Sequence, residues 1–219
     1  MPLRLVNKEV NIFYRRWLKI TLMACKTCES ILIQISINII KMVAITLPSA
    51  GDGTMNEYAY VLLTSLWIAF QCYMTGFLVV EVKRAKTFTD EYMNKNFLDE
   101  HKKAFPNDKR VPKYGYPDMG CGHYSSKLTY KEWFEFNLAQ RVHGNFLEQV
   151  MTVCLLVLVA GIRHPAYTVY LGIAYSVARI FNAYGYSRTV KGRVPGFILC
   201  TLCMFTLFGL SVHTLLGLM

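Results

Sequence analysis

At 219 residues, 53% of them hydrophobic and 17% charged, the chain is too apolar for an average soluble domain and too short for several. A net charge of +10 would suggest nucleic acid in a soluble protein. Here the cations gather in loops between apolar segments, which reads as membrane topology, and no nucleic-acid partner is expected.

Residues 1–55 read as an N-terminal extension. "IFYRRWLK" precedes "SILIQISINII", an apolar run interrupted by Gln34, Ser36 and Asn38. It is weak as a span and poor as a signal peptide, and it fits an amphipathic surface helix. The alternative is that Met42 or Met55 starts the protein and the upstream residues are not made.

The membrane domain is expected over 56–219. A first helix at about 56–84 carries "YAYVLLTSLWIAFQCYMTGFLVVEV" and ends in Lys83 and Arg84. The insertion 85–131 opens with "TFTDEYMNKNFLDEHKKAFPNDKR", which has the charge density of a solvated helix extending the first one. "VPKYGYPDMGCGHY" follows as a Pro/Gly/Tyr loop. A second helix at about 133–162 holds "FNLAQRVHGNFLEQVMTVCLLVLVAGI", with Trp133, Phe134 and Phe136 as an interfacial aromatic belt. A third at about 166–188 holds "AYTVYLGIAYSVARIFNAYGY", and a fourth at about 194–218 begins "VPGFILCTLCMF".

Each segment meets the roughly 20 residues that a span needs. Together they predict an all-α integral membrane protein, a bundle of four transmembrane helices. Lys and Arg crowd the stretch from Lys83 to Lys131 and recur at Arg188, Lys191 and Arg193, whereas the connection after the second helix holds only Arg163. That asymmetry places both basic loops in the cytosol. Of seven cysteines, Cys25/Cys28 and Cys200/Cys203 form C-x-x-C pairs. No His pair stands at zinc spacing, so no metal is expected and most thiols serve as small buried hydrophobes.

The second helix carries charge where a span should not. With Arg141 at zero on a helical wheel, Asn145 falls near about 40° and Glu148 near about −20°, while His143 points away. Ionisable groups cost at least about 2.5–3.5 kcal/mol each at the bilayer centre, so this face needs a partner. One reading is a structural Arg141–Glu148 pair; the other is a ligand site. On the third helix Tyr175, Arg179, Asn182 and Tyr186 share a second polar stripe, within roughly 60°. Lys83, Arg84, Arg141, Arg179 and Arg193 then stand against one carboxylate, Glu148. This excess suits an anionic ligand that also offers an amine, such as a small zwitterionic peptide with two carboxylates, oriented by Asn145 and Tyr186.

"RVHGNFLE", as R-x-x-x-N-x-x-E, and "ARIFNAYGYSR" resemble the second- and third-helix signatures of the membrane-associated proteins in eicosanoid and glutathione metabolism. The likeness covers about residues 56–219 and is nearest to the microsomal glutathione transferase and leukotriene C4 synthase branch. It implies a homotrimer with glutathione bound between subunits near the cytosolic face. Arg141, Asn145 and Glu148 would hold the peptide, Glu148 accepting from its γ-glutamyl amine. His143 would reach it from the adjacent subunit. Lys83 or Arg84, Arg179 and Tyr186 match further contacts, and Arg193 matches the arginine that stabilises the thiolate. Asn182 belongs to the same set, although relatives often carry tyrosine there, and Gln149 stands where some carry tyrosine. The insertion 87–110 and the first 41 residues have no counterpart.

The resemblance implies a microsomal-type glutathione S-transferase or peroxidase acting on a lipophilic electrophile or a lipid hydroperoxide. It would be a multi-pass protein, in contact with membrane lipid, of the endoplasmic reticulum or alternatively the mitochondrial outer membrane. A non-enzymatic membrane adaptor or regulator of the same fold is the competing reading. A transporter is disfavoured, because the polar residues stop about half-way along the second helix.

Overall fold

A computed structural model describes residues 55–108 and 110–219; the expected N-terminal extension up to residue 54 lies outside them. The described residues form helices and turns with no strand among them. In chain order they are α1 (Met55–Thr75), a π-helical stretch (Gly76–Glu81), α2 (Val82–Thr87), α3 (Asp90–Ala104), α4 (Tyr130–Gly161), α5 (Pro165–Arg188) and α6 (Val194–Leu216). Short 3-10 turns at Lys113–Gly115, Ser125–Lys127 and Lys191–Arg193 join them. From α1 to α2 the chain is one rod.

Three helical stretches, Glu57–Thr87, Tyr130–Gly161 and Lys191–Leu216, are long and apolar enough to cross a membrane. The remaining long helix, α5, spans 24 residues, but Ser176, Arg179, Asn182 and Arg188 dilute its apolar run. The helix starts follow local chemistry. Thr129 and Glu132 make a reciprocal capping box at the start of α4, a device worth about 1 kcal/mol. Pro165 and Pro195 occupy the first turns of α5 and α6, where a missing N–H costs nothing.

Helix α4 packs against α1, α5 and α6, and α5 against α1 and α6 as well, so α4 and α5 form the centre of the bundle. Small residues permit the close approach: a Cβ on Gly172 would collide with Thr64. Polar side chains lock α1 to α5. Trp67 Nε1 donates to Ser176 Oγ at 2.8 Å, Ser176 Oγ donates to Gln71 Oε1 at 2.8 Å, and Gln71 Nε2 donates to the Ser176 carbonyl at 3.0 Å. Such interhelical bonds contribute about 0.6 kcal/mol each in a membrane.

The insertion differs from the solvated extension that its charge suggests. The rod stops because Phe88 leaves helical geometry and Thr89 caps a new helix by accepting from the Tyr92 N–H at 3.2 Å. Helix α3 then folds back and buries Met93 and Phe97 with Phe88, Val111 and Phe136. The Phe88 and Phe136 rings meet edge to face with centroids 5.1 Å apart. The charges of α3 stay outward, so the segment is amphipathic, with a small core of its own.

Arg84 fastens this cap to the rod. It is 1% exposed, its Nη1 donates to the Asp118 carbonyl at 2.7 Å, and its guanidinium lies 4.3 Å from the Tyr116 ring centroid and 5.2 Å from that of Phe136. The Asp118 carboxylate in turn accepts from the N–H groups of Gly120, Gly122 and Ser125 at 2.7, 3.0 and 2.6 Å and from the Ser125 hydroxyl. Burial pushes this carboxyl up, but the N–H donations of Ser125, Gly120 and Gly122 outweigh it and hold Asp118 below the ordinary carboxylate range.

Candidate functional site

The polar residues of α4 come together on its outward face. Arg141 Nη2 donates to Asn145 Oδ1 at 3.1 Å, and Arg141 Nη1 lies 3.7 Å from Glu148 Oε1. The spacing of four and seven residues puts one above the other on a helix. Their contact is loose, and the side chains of Arg141 and Glu148 are 57% and 63% exposed. A charged face of this kind on a membrane helix cannot rest against hydrocarbon. Most of its donors and acceptors remain available to something outside the chain.

The stripe on α5 faces the other way. Tyr175, Arg179, Asn182 and Tyr186 are all buried within the bundle. Arg179 stacks on Phe146 at 4.2 Å and donates from Nη1 to Gln149 Oε1 at 3.3 Å, an oxygen that also accepts from the Tyr175 hydroxyl at 3.2 Å. Within the chain, then, Arg179 and the Arg141 face do not converge: Phe146 and Gln149 lie on the inner side of α4, and Arg141, Asn145 and Glu148 on its outer side. The shared stripe on the helical wheel holds; the direction in which it points was not readable from the wheel.

The other sequence candidates divide similarly. Arg84 is enclosed by the cap. Lys83, its neighbour, is partly exposed and bonds Glu135 at 2.5 Å. His143 is half-buried, with its ring against the π-helical stretch. A Cβ on Gly76 would lie 2.9 Å from both Cε1 and Nε2 of that ring. Tyr186 packs on Leu138 and Val142, and the Arg193 guanidinium lies 5.2 Å from its ring centroid. The chain between α5 and α6 thus sets Arg193, half-buried, over an aromatic floor supported by α4.

Between α1 and α4 runs an open cavity of about 720 Å³, lined chiefly by apolar groups such as Leu62, Leu66, Leu147 and Met151, with His143 and Glu81 also on its wall. It combines an apolar length with a few polar groups, as sites for lipophilic molecules do.

Three participants carry no signal of their role in the local sequence. Gln149 registered only as a departure from relatives, yet it is the hydrogen-bond acceptor for the buried guanidinium. Glu135, the partner of Lys83, lies 52 residues away in the chain, and no local pattern links them. Gly76 yields space to His143 within a π-helical stretch, which nothing in the hydropathy signals.

Helices long and apolar enough to span, tied together by buried polar contacts and bearing a charged face midway along one of them, define a multi-pass membrane protein. A family model matches residues 59–213, and the chain belongs to the MAPEG family. The match takes in all four long helices, both polar stripes and the corner that carries Arg193. Membership sets the protein within membrane-bound glutathione and eicosanoid metabolism.

Proposed function

We propose that the protein is a microsomal-type glutathione transferase or peroxidase. Arg141, Asn145 and Glu148 would bind glutathione, with Glu148 accepting from its α-amine and Arg141 pairing with a carboxylate. Lys83, and His143 from a neighbouring subunit of a homotrimer, would complete the peptide's contacts. Arg84, Arg179 and Asn182 are buried inside the subunit, so they support the site and do not line it; Tyr186 supplies the floor under Arg193. The observation that carries the reading is the outward, more than half-exposed Arg141–Glu148 face on a membrane helix.

Arg193 would act as the catalytic residue. A thiol of ordinary pKa is mostly protonated at neutral pH, and a fixed guanidinium beside the sulfur favours the thiolate. Lowering the thiol pKa by two units corresponds to about 2.7 kcal/mol. In transfer, the thiolate forms an S–C bond with an electrophilic carbon while the leaving group or opened oxygen takes the electron pair and a proton. In peroxide reduction, the thiolate attacks the terminal oxygen, the O–O bond breaks and the lipid alkoxide leaves and is protonated to the alcohol; a second glutathione then converts the sulfenic acid to a disulfide with release of water. The apolar cavity beside α1 suits the lipophilic co-substrate, which would enter from the bilayer of the endoplasmic reticulum.

The test is glutathione-dependent turnover by the purified protein with a generic electrophile and with a lipid hydroperoxide, beside calorimetry with glutathione. Turnover supports the enzyme. Binding without turnover favours a membrane adaptor that keeps the ligand, and neither overturns the glutathione reading.

A further inference from the structure

The corner between α5 and α6 is built more tightly than a connection requires. A Cβ on Gly185 would collide with the Gly192 carbonyl, and one on Gly192 with the Gly185 carbonyl, so the two backbones touch. A Cβ on Gly196 would collide with the backbone of Asn182. The Gly192 N–H donates to the Thr189 carbonyl at 3.1 Å and to its hydroxyl at 3.0 Å, closing the turn. Into this corner Asn182, 3% exposed, sends its amide: Nδ2 donates to the carbonyl of Arg193 at 3.2 Å.

We infer that Asn182 is a positioning residue, whose buried amide pins the Lys191–Arg193 turn to α5 and thereby fixes the Arg193 guanidinium over the Tyr186 ring. The inference rests on the proposed role of Arg193 toward the glutathione thiol. The physical reason lies in the sequence of the corner. Gly185, Gly192 and Gly196 let the backbones approach but offer no side chain to hold them, and glycine leaves a turn more freedom than any other residue. A buried amide that would otherwise go unpaired is costly, so Asn182 restricts the turn to the geometry that meets its carbonyl. Arg193 is the last residue of that 3-10 turn; any slack there moves its long side chain away from a fixed target, and a small misplacement of a catalytic group is expensive. Asn182 in this way does through the backbone what a direct peptide contact would do through a side chain.

The experiment compares Asn182→Ala, and the isosteric Asn182→Asp, which sets an oxygen against the Arg193 carbonyl, with the unsubstituted protein. Expected are a fall in kcat of about tenfold with glutathione KM within about twofold, and an acid limb of the kcat profile raised by about one unit. Arg193→Ala combined with Asn182→Ala should be no slower than Arg193→Ala alone. Hydrogen exchange of residues 189–194, read without glutathione, should quicken by about tenfold. A raised KM at unchanged kcat would make Asn182 a direct peptide contact and overturn the inference, as would additive losses in the double variant. Unchanged exchange overturns it whatever the activity. Faster exchange in a protein that shows no glutathione turnover upholds the pinned turn, overturns its link to thiolate chemistry, and counts against the enzyme reading, while glutathione binding is judged by calorimetry alone.

Discussion

Arg179 and Gln149 are joined inside the bundle, Nη1 donating to Oε1 at 3.3 Å, and no carboxylate pairs with that guanidinium among the described residues. The charge is accommodated by the Phe146 ring and a neutral amide. Replacing Gln149 by Leu removes the acceptor while keeping volume, and a buried donor left unpaired costs about 1–3 kcal/mol. Thermal unfolding in detergent should show a clear fall in Tm for Gln149→Leu. An unchanged Tm would mean that the cation–π contact alone suffices.

Arg84 ties the segment after Phe88 to the rod through the Asp118 carbonyl and the Tyr116 and Phe136 rings. Arg84→Ala, and also Arg84→Lys, which lacks the planar group that stacks on Tyr116 and Phe136, should weaken the cap by about 2–3 kcal/mol. Limited proteolysis should then cut within 105–129 while the helical content of the bundle persists. Resistance equal to the unsubstituted protein would refute the role.

Asp118 gives the cap a pH dependence of known sign. Its folded-state pKa lies below the ordinary value, so the stability it contributes is present above about pH 3.9 and is lost as pH falls toward the folded value. Protection of residues 111–125 in hydrogen exchange should decline across that acid window, and Asp118→Asn should remove the dependence while weakening the cap at neutral pH.

His164 and His213 meet at the other end of the bundle, Nε2 to Nδ1 at 2.9 Å. Burial, then His213 and Arg163, hold the His164 pKa below the usual histidine value. The unfolded chain therefore binds the proton more readily, and stability should fall as pH drops through about 6.5 and below. In His164→Gln the slope of Tm against pH between about 7.5 and 5.5 should flatten; an identical slope would rule this pair out as its source.

Glutathione binding and chemistry should separate by residue. Glu148→Gln removes a charged acceptor and should weaken binding by about tenfold, equivalent to about 1.4 kcal/mol. Arg193→Ala should leave calorimetric binding nearly unchanged and lower kcat at neutral pH by about a hundredfold, with recovery toward high pH as the thiol ionises unaided. Unchanged turnover in Arg193→Ala would remove Arg193 from the mechanism.

The helices, and the register within each, follow from the chain's own pattern of apolar and polar residues. Apolar runs of span length can satisfy their backbones in lipid only as helices, and a period of 3.6 obliges Arg141, Asn145 and Glu148 to share one face and Tyr175, Arg179, Asn182 and Tyr186 another. Where those faces look is settled by packing between helices. The direction of a stripe depends on which neighbouring helix it meets, and that is set by contacts distant in the chain: Arg179 turns inward because Phe146 and Gln149 receive it, and Arg84 is taken into the cap by a loop more than 30 residues onward. The fold-back of α3 was hidden for the same reason. Its net charge resembles that of a solvated rod, and the apolar side formed by Met93 and Phe97 has meaning only once Phe88 and Phe136 are brought beside it.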